Sequence, residues 1–187
     1  GLTTNEDQLS KARRTAFKSK LFQQVTFELG NLSDLTYLHD SYDTVICESA
    51  LSPFPDKYKL VSEIQRILRP EGRVGIVDVT RERNLPSNLS CIAPMVPSLN
   101  LAMSADGYKD IFNEHGFKNI EIHHLPTILS ETIRTLQIKI MMARLAASND
   151  IFQIDTTDFE KAHDLVALIN ESVTEGGLSF IMLTAIN

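Results

Sequence analysis

The hydrophobic positions of this chain follow two rhythms, one of period two and one of helical period. Two short apolar runs rich in β-branched residues, Tyr42 to Cys47 and Val74 to Val79, flank a stretch in which Leu60, Val61, Ile64, Ile67 and Leu68 recur at helical spacing. Strand, helix, strand in that order is the pattern of a βαβ crossover and predicts parallel strands. Pro53, Pro55 and Asp56 end the loop before the helix and cap it, and Pro70 and Gly72 stop it. Ligands of open α/β sheets bind beyond the carboxyl ends of the strands. The expected site therefore lies at Glu48 to Pro55 and from Thr80 onward.

Upstream, Thr4-Asn5-Glu6-Asp7 resembles a capping box, and Leu9, Ala12 and Ala16 repeat behind it as the buried side of a helix. Val25 to Leu29 reads as a strand ended by Gly30-Asn31. Downstream, periodicity lapses from Thr80 to Met103, where Pro86, Pro94 and Pro97 among apolar residues read as a lid. Ser104 to His115 returns to helix, with Tyr108, Ile111 and Phe112 on one face and Gly116 as the stop. A strand follows around Ile120 and Ile122. Glu131 to Ala147 is helical and apolar nearly all round: Ile133, Leu136 and Ile140 form one line, and Ile138, Met141 and Leu145 another. Two apolar lines imply two covered faces, with plain core as the preferred reading and an acceptor pocket or dimer contact as the alternative. Thr157 and Glu160 mark another helix start, and Leu178 to Ile186, after Gly176-Gly177, reads as a strand.

Composition narrows the picture. A chain of 187 residues is one domain by length, and its net charge of -6 argues against a nucleic-acid surface. Two cysteines, Cys47 in a strand and Cys91 in a loop, make no disulfide framework and fit a reducing compartment. No apolar run approaches the roughly 20 residues a membrane helix requires, so no membrane span and a cytoplasmic location are expected. His123-His124 suggests a metal, but adjacent strand residues point to opposite faces and cannot hold one ion together.

Several segments in order carry a resemblance. Gly30-Asn31-Leu32 with Asp34-Leu35, then Tyr42-Asp43-Thr44-Val45, then Ile64-Gln65-Arg66-Ile67-Leu68-Arg69-Pro70-Glu71-Gly72-Arg73, where the family reads E-x-x-R-V-L-K-P-G-G, before an apolar strand, resemble the middle of a class I S-adenosylmethionine (SAM) dependent methyltransferase. Gly1 to Leu9, with Lys11-Ala12-Arg13 behind it, is similar to the segment where that family's second strand ends and the next helix begins. Gly116-Phe117, Ile120 and Ile122 resemble the start of its sixth strand.

The resemblance implies an α/β fold: a Rossmann-like class I methyltransferase sheet with strands 3 to 7 present, strands 1 and 2 missing, and flanking helices. It implies one partial methyltransferase domain over residues 1–187, with a lid or insert at 80–103 and a C-terminal helical region at 127–174. The family's sheet order, 3-2-1-4-5-7-6, would leave strand 3 without its neighbour and one edge of strand 4 open, and an open apolar edge is an aggregation template. The expectation is that the chain is the C-terminal part of a longer protein, or that strand 3 re-pairs with strand 4, or that a second copy covers the edge as a homodimer. The family's G-x-G-x-G turn does not occur in these 187 residues.

For the site, the resemblance implies cofactor contacts at Thr3, where the family usually has a ribose-binding acid; at Asn31, where an acid usually meets the adenine amino group; at Leu32, against the adenine ring; and at Glu48, near the methionine end of the cofactor or the acceptor. No catalytic residue is assigned beyond Glu48 as a candidate base, and no metal is expected. The implied function is methyl transfer from SAM to a small-molecule acceptor, with weak or absent SAM binding by this chain alone. The alternative is a methyltransferase-like binding or dimerisation module without catalysis, toward which Thr3, Asn31 and Glu71, in place of two acids and a glycine, lean.

Overall fold

The computed structural model describes residues 1–90, 96–147 and 156–187. Its elements are β1 (Leu2–Thr3), α1 (Glu6–Lys18), β2 (Glu28–Leu29), β3 (Tyr42–Glu48), α2 (Lys57–Ile67), β4 (Leu68–Arg81), α3 (Ser87–Ser90), α4 (Pro97–Asn100), α5 (Ala105–Glu114), β5 (Lys118–His124), α6 (Pro126–Ala147), α7 (Thr156–Thr174) and β6 (Leu178–Ile186). Four strands form one sheet in the order β3-β4-β6-β5, in which β3 and β4 are parallel and β6 runs antiparallel between β4 and β5. This is the 4-5-7-6 half of the expected order. β1 and β2 pair in parallel as a separate two-stranded sheet. The end of the family's second strand is thus present as Leu2–Thr3, and strand 3 pairs with it. Re-pairing of strand 3 with strand 4 does not occur.

The two faces of the larger sheet carry separate cores. On one, Leu60, Val61 and Ile64 of α2 meet Tyr108, Ile111 and Phe112 of α5 over Val74, Ile76, Ile181 and Leu183. On the other, Leu129 and Ile133 of α6 and Val166 of α7 pack with Val79, Leu178 and three residues of the expected lid, Leu89, Leu99 and Ala102. The stretch from Thr80 to Met103 therefore contributes two short helices and buried side chains to this second core. Cys91 and Pro94 lie outside the described residues.

Local physics moves several boundaries. The α1 cap is Asn5, one residue past Thr4: its side chain accepts the Gln8 N–H, while the Thr3 hydroxyl holds the Asn5 N–H. α2 ends at Ile67, three residues before Pro70, and its Asp56 cap accepts the Lys59 N–H. α6 begins at Pro126 rather than Glu131, and Thr157 falls inside α7. One expected line on α6 is core at two of its three positions, since Ile133 is buried and Ile140 packs against the same cluster, while Leu136 is 44% exposed. The other faces outward, with Ile138 51%, Met141 63% and Leu145 56% exposed, so the plain-core reading of that line is corrected.

The Arg69-Pro70-Glu71-Gly72 segment is a bulge. β3 advances from Tyr42 to Thr44 while its partner advances from Leu68 to Arg73. Glu71 sits at φ 62°, a left-handed conformation that disfavours side chains with a Cβ, which is the physical reason for the family's glycine there. A Cβ on the neighbouring Gly72 would come 2.8 Å from the Arg69 carbonyl oxygen. Glu71→Gly is therefore expected to stabilise the protein by about 1 kcal/mol, read as a higher denaturation midpoint in urea. Gly72→Ala should lower that midpoint.

Candidate active site

The carboxyl ends of β3 and β4 and the space between the two sheets define the site. A groove of about 290 Å³ runs along the open side of β3, bordered by Leu2 from β1, by Leu32 and Leu35 from the loop after β2, by Ile46 and Glu48 from β3, and by Ile64 from α2. Its floor is apolar because α2 turns its Leu60, Ile64 and Ile67 stripe toward it. Ile46, on the strand that carries no partner on this side, is 71% exposed.

Of the four expected cofactor contacts, Leu32 and Glu48 line this groove. Glu48 is exposed at the mouth, at the last paired position of β3. Thr3 and Asn31 border it only through their neighbours, and both side chains are engaged within the chain. The Thr3 hydroxyl donates to Gln8 Oε1 at 2.8 Å. The Asn31 amide oxygen accepts the Ser33 N–H at 2.9 Å, a local turn that occupies the acceptor atom expected to face adenine.

The loop that leaves Glu48 is held from beneath by a buried carboxylate. Asp78 of β4 is 1% exposed, and its Oδ2 accepts the Leu51 and Ser52 N–H groups, both at 2.9 Å, while Oδ1 accepts the Val79 N–H at 2.8 Å. Asp78 thus ties a neighbouring loop and is not among the residues that line the groove. Lys57, also buried, donates through Nζ to the Ser52 and Phe54 carbonyls at 3.0 and 2.8 Å. Burial lowers its pKa, against the opposing charge of Asp78. The segment turns sharply at Ser49, φ 50°. Sequence inspection missed Lys57 because a lysine one residue past a helix cap ordinarily faces water.

Cys47 shares this environment. Burial, then the Asp78 charge, pushes its thiol up to about 11. At pH 8 its alkylation by iodoacetamide should be slower than that of an exposed thiol by about 100-fold, and should accelerate until the pH passes about 11. Mass spectrometry of the Cys47 peptide follows this directly, and fast labelling at pH 8 would contradict the buried geometry.

On the far side of the groove, Tyr37 donates its hydroxyl to Glu28 Oε2 at 2.8 Å and stands edge-on to Tyr42, with ring centroids 5.1 Å apart. Burial and the adjacent Glu28 carboxylate push this phenol upward in pKa. Tyr37 did not stand out in the sequence, where it reads as an ordinary loop residue, and Tyr42 entered only as the first residue of its strand and segment.

A half Rossmann-like sheet in 4-5-7-6 order, with the strand 2 and 3 ends set apart beside it, is the architecture of class I methyltransferases. Residues 1–131 match the profile of a methyltransferase domain, and the chain belongs to that family. Arsenite methyltransferase of Halobacterium salinarum is 28% identical over 130 residues, covering 65% of this chain and 31% of that protein. The 27-O-demethylrifamycin SV methyltransferase of Amycolatopsis mediterranei is 26% identical over 121 residues, 63% of this chain and 44% of that protein. The chain thus spans less than half the length of these relatives. Among solved structures, phosphoethanolamine N-methyltransferase 2 of Haemonchus contortus, in complex with phosphomonomethylethanolamine and S-adenosylhomocysteine, matches 100% of this chain and 43% of its own, with a TM-score of 0.80 at 16% identity. At that identity the likeness is one of fold. No described helix is long and apolar enough to cross a membrane.

Proposed function

We propose that this chain forms the acceptor-facing part of a SAM-dependent methyltransferase acting on a small molecule. The observation that carries the reading is Glu48 at the carboxyl end of β3, beside the groove, in a chain whose residues 1–131 match a methyltransferase domain. In such a site the acceptor's lone pair forms a bond to the methyl carbon as the carbon–sulfur bond breaks. The sulfonium leaves as the neutral thioether S-adenosylhomocysteine. The protein contributes alignment of the two molecules and exclusion of water.

In this reading Leu32 packs on the adenine and Glu48 either holds the cofactor's amino end or takes the proton of an acceptor that must lose one. Thr3 and Asn31 have lesser roles, because their polar atoms already have partners. Those two engagements also favour the second reading, a methyltransferase-like module that binds without catalysis. Because the glycine turn that lets a backbone approach the cofactor is absent from these 187 residues, the isolated chain should bind weakly.

Calorimetric titration of S-adenosylhomocysteine, beside a labelled-methyl transfer assay on the protein expressed from its complete reading frame, tests the proposal. Transfer by that protein, with its affinity for S-adenosylhomocysteine lowered by Glu48→Gln, supports it. Neither binding nor transfer in that protein would overturn it, and micromolar affinity in the isolated chain would overturn the stated need for the glycine turn.

A further inference from the structure

A second cavity lies at the far end of β4. β3 ends at Glu48, paired with Val77, but β4 continues to Arg81. Four residues of strand carry it about 13 Å past the mouth of the groove. There a cavity of about 490 Å³ is lined by Arg81, Glu82, Arg83, Asn84 and Ser104, among others.

Its charges are out of balance. Arg81 is half-buried and Arg83 exposed. Among the described residues neither guanidinium has an ion pair or a side-chain hydrogen bond. The carboxylate on this wall, Glu82, offsets one of the two positive charges and leaves an excess of one, while its Oε1 accepts the Ala105 N–H at 3.0 Å in the first turn of α5. The backbone beneath is fixed, since the Arg81 N–H donates to the Met103 carbonyl at 2.8 Å and the Glu82 N–H to the Gly177 carbonyl at 2.9 Å. Arg81 at the stapled end of β4, partly desolvated, and Arg83 two residues beyond the strand make a receptor for an oxyanion, because their planar forks match carboxylate and phosphate oxygens.

We propose that this cavity anchors the oxyanion of an elongated acceptor, a phosphate or a carboxylate, while the methyl-accepting atom reaches back to the mouth of the groove. The assignment rests on the methyltransferase reading for what the ligand is, but not for the site itself. It narrows the small-molecule acceptor to one that carries an anionic group.

The test is calorimetric titration of the protein with sodium pyrophosphate and, separately, sodium malonate, in low-salt buffer, for wild type, Arg81→Gln, Arg83→Gln and Lys109→Gln. Saturable binding of either probe is expected in the wild type, weakened about tenfold by each arginine change and unaltered by Lys109→Gln, whose side chain lies outside the cavity lining. The stronger of the two probes identifies phosphate or carboxylate as the acceptor's group. Arg81→Lys should restore only part of the affinity, since it keeps the charge and loses the fork. Absence of saturable binding for both probes, or equal weakening by Lys109→Gln, would overturn the site. So would a large fall in the melting temperature of Arg81→Gln without any anion, which would make Arg81 a structural brace. A protein that transfers methyl groups yet binds neither probe refutes the anchor alone. One that binds a probe through Arg81 and Arg83 yet never transfers methyl refutes the enzymatic reading alone.

Discussion

Asp78→Ala is expected to destabilise the protein by about 3–5 kcal/mol, because three backbone N–H groups lose their acceptor inside a site that water does not reach, and each orphaned buried donor costs about 1–3 kcal/mol. For a chain of this size that is a fall in melting temperature of roughly 10 °C or more. The Leu51, Ser52 and Val79 donors all converge on this one carboxylate. Asp78→Asn should cost less, since the amide oxygen retains one or two of the bonds while its NH₂ faces a donor. Urea denaturation gives the energies, and hydrogen exchange at Leu51 and Ser52 locates the damage. A loss under about 1 kcal/mol for the alanine variant would mean that the loop holds itself and that Asp78 is incidental. The link to function is positional: this loop leaves Glu48, so loosening it should disorder the mouth of the groove before it unfolds the sheet.

The elements legible in the sequence are those whose signal is local. The βαβ crossover was readable because Tyr42 to Cys47 and Val74 to Val79 are β-branched runs around an uninterrupted helical stripe, and α5 because Ser104 and Gly116 punctuate it at both ends. The start of α1 was misplaced by one residue because Thr4 and Asn5 are both good caps, and the choice falls to the Thr3 hydroxyl that positions Asn5. The outward line of α6 could not be distinguished from core, since Met141 and Leu145 have the same hydropathy wherever they point. What covers a helix is a fact about the rest of the chain. The insert from Thr80 to Met103 showed no period because α3 and α4 are four residues each, too short for one to appear. Leu32 and Glu48 were expected from motif order and strand position, and both line the groove. Lys57 was not foreseen, because it forms its bonds with a loop whose path depends on the packed sheet.

Arg66→Ala carries the other large expectation, and it gives physical content to the family's spacing of a glutamate and an arginine ahead of strand 5. Arg66 Nη1 and Nη2 donate to the Tyr37 and Leu35 carbonyls, each at 2.8 Å, while Nε and Nη2 hold both oxygens of Glu63 at 2.9 and 2.8 Å. Glu63 Oε2 in turn accepts the Leu35 N–H at 2.9 Å. One residue pair on α2 thus satisfies three backbone groups of the loop that forms the far wall of the groove. The Arg66 hydrogen bond lowers the Glu63 pKa, so this clasp is complete at neutral pH and is lost as pH falls through the lowered Glu63 value. Alanine at 66 frees two carbonyls and strands Glu63, and the melting temperature should drop by roughly 5 °C. The sharper readout is local: amide exchange across Ser33 to Ser41 should accelerate far more than exchange in β4 or β6. Arg66→Lys should rescue little, because a single ammonium cannot reach Leu35, Tyr37 and both Glu63 oxygens together. Full rescue by lysine would reduce the clasp to simple charge pairing. If the fork geometry is what counts, the arginine is there to hold Leu35 and Tyr37 against the groove, and the motif marks one of its walls.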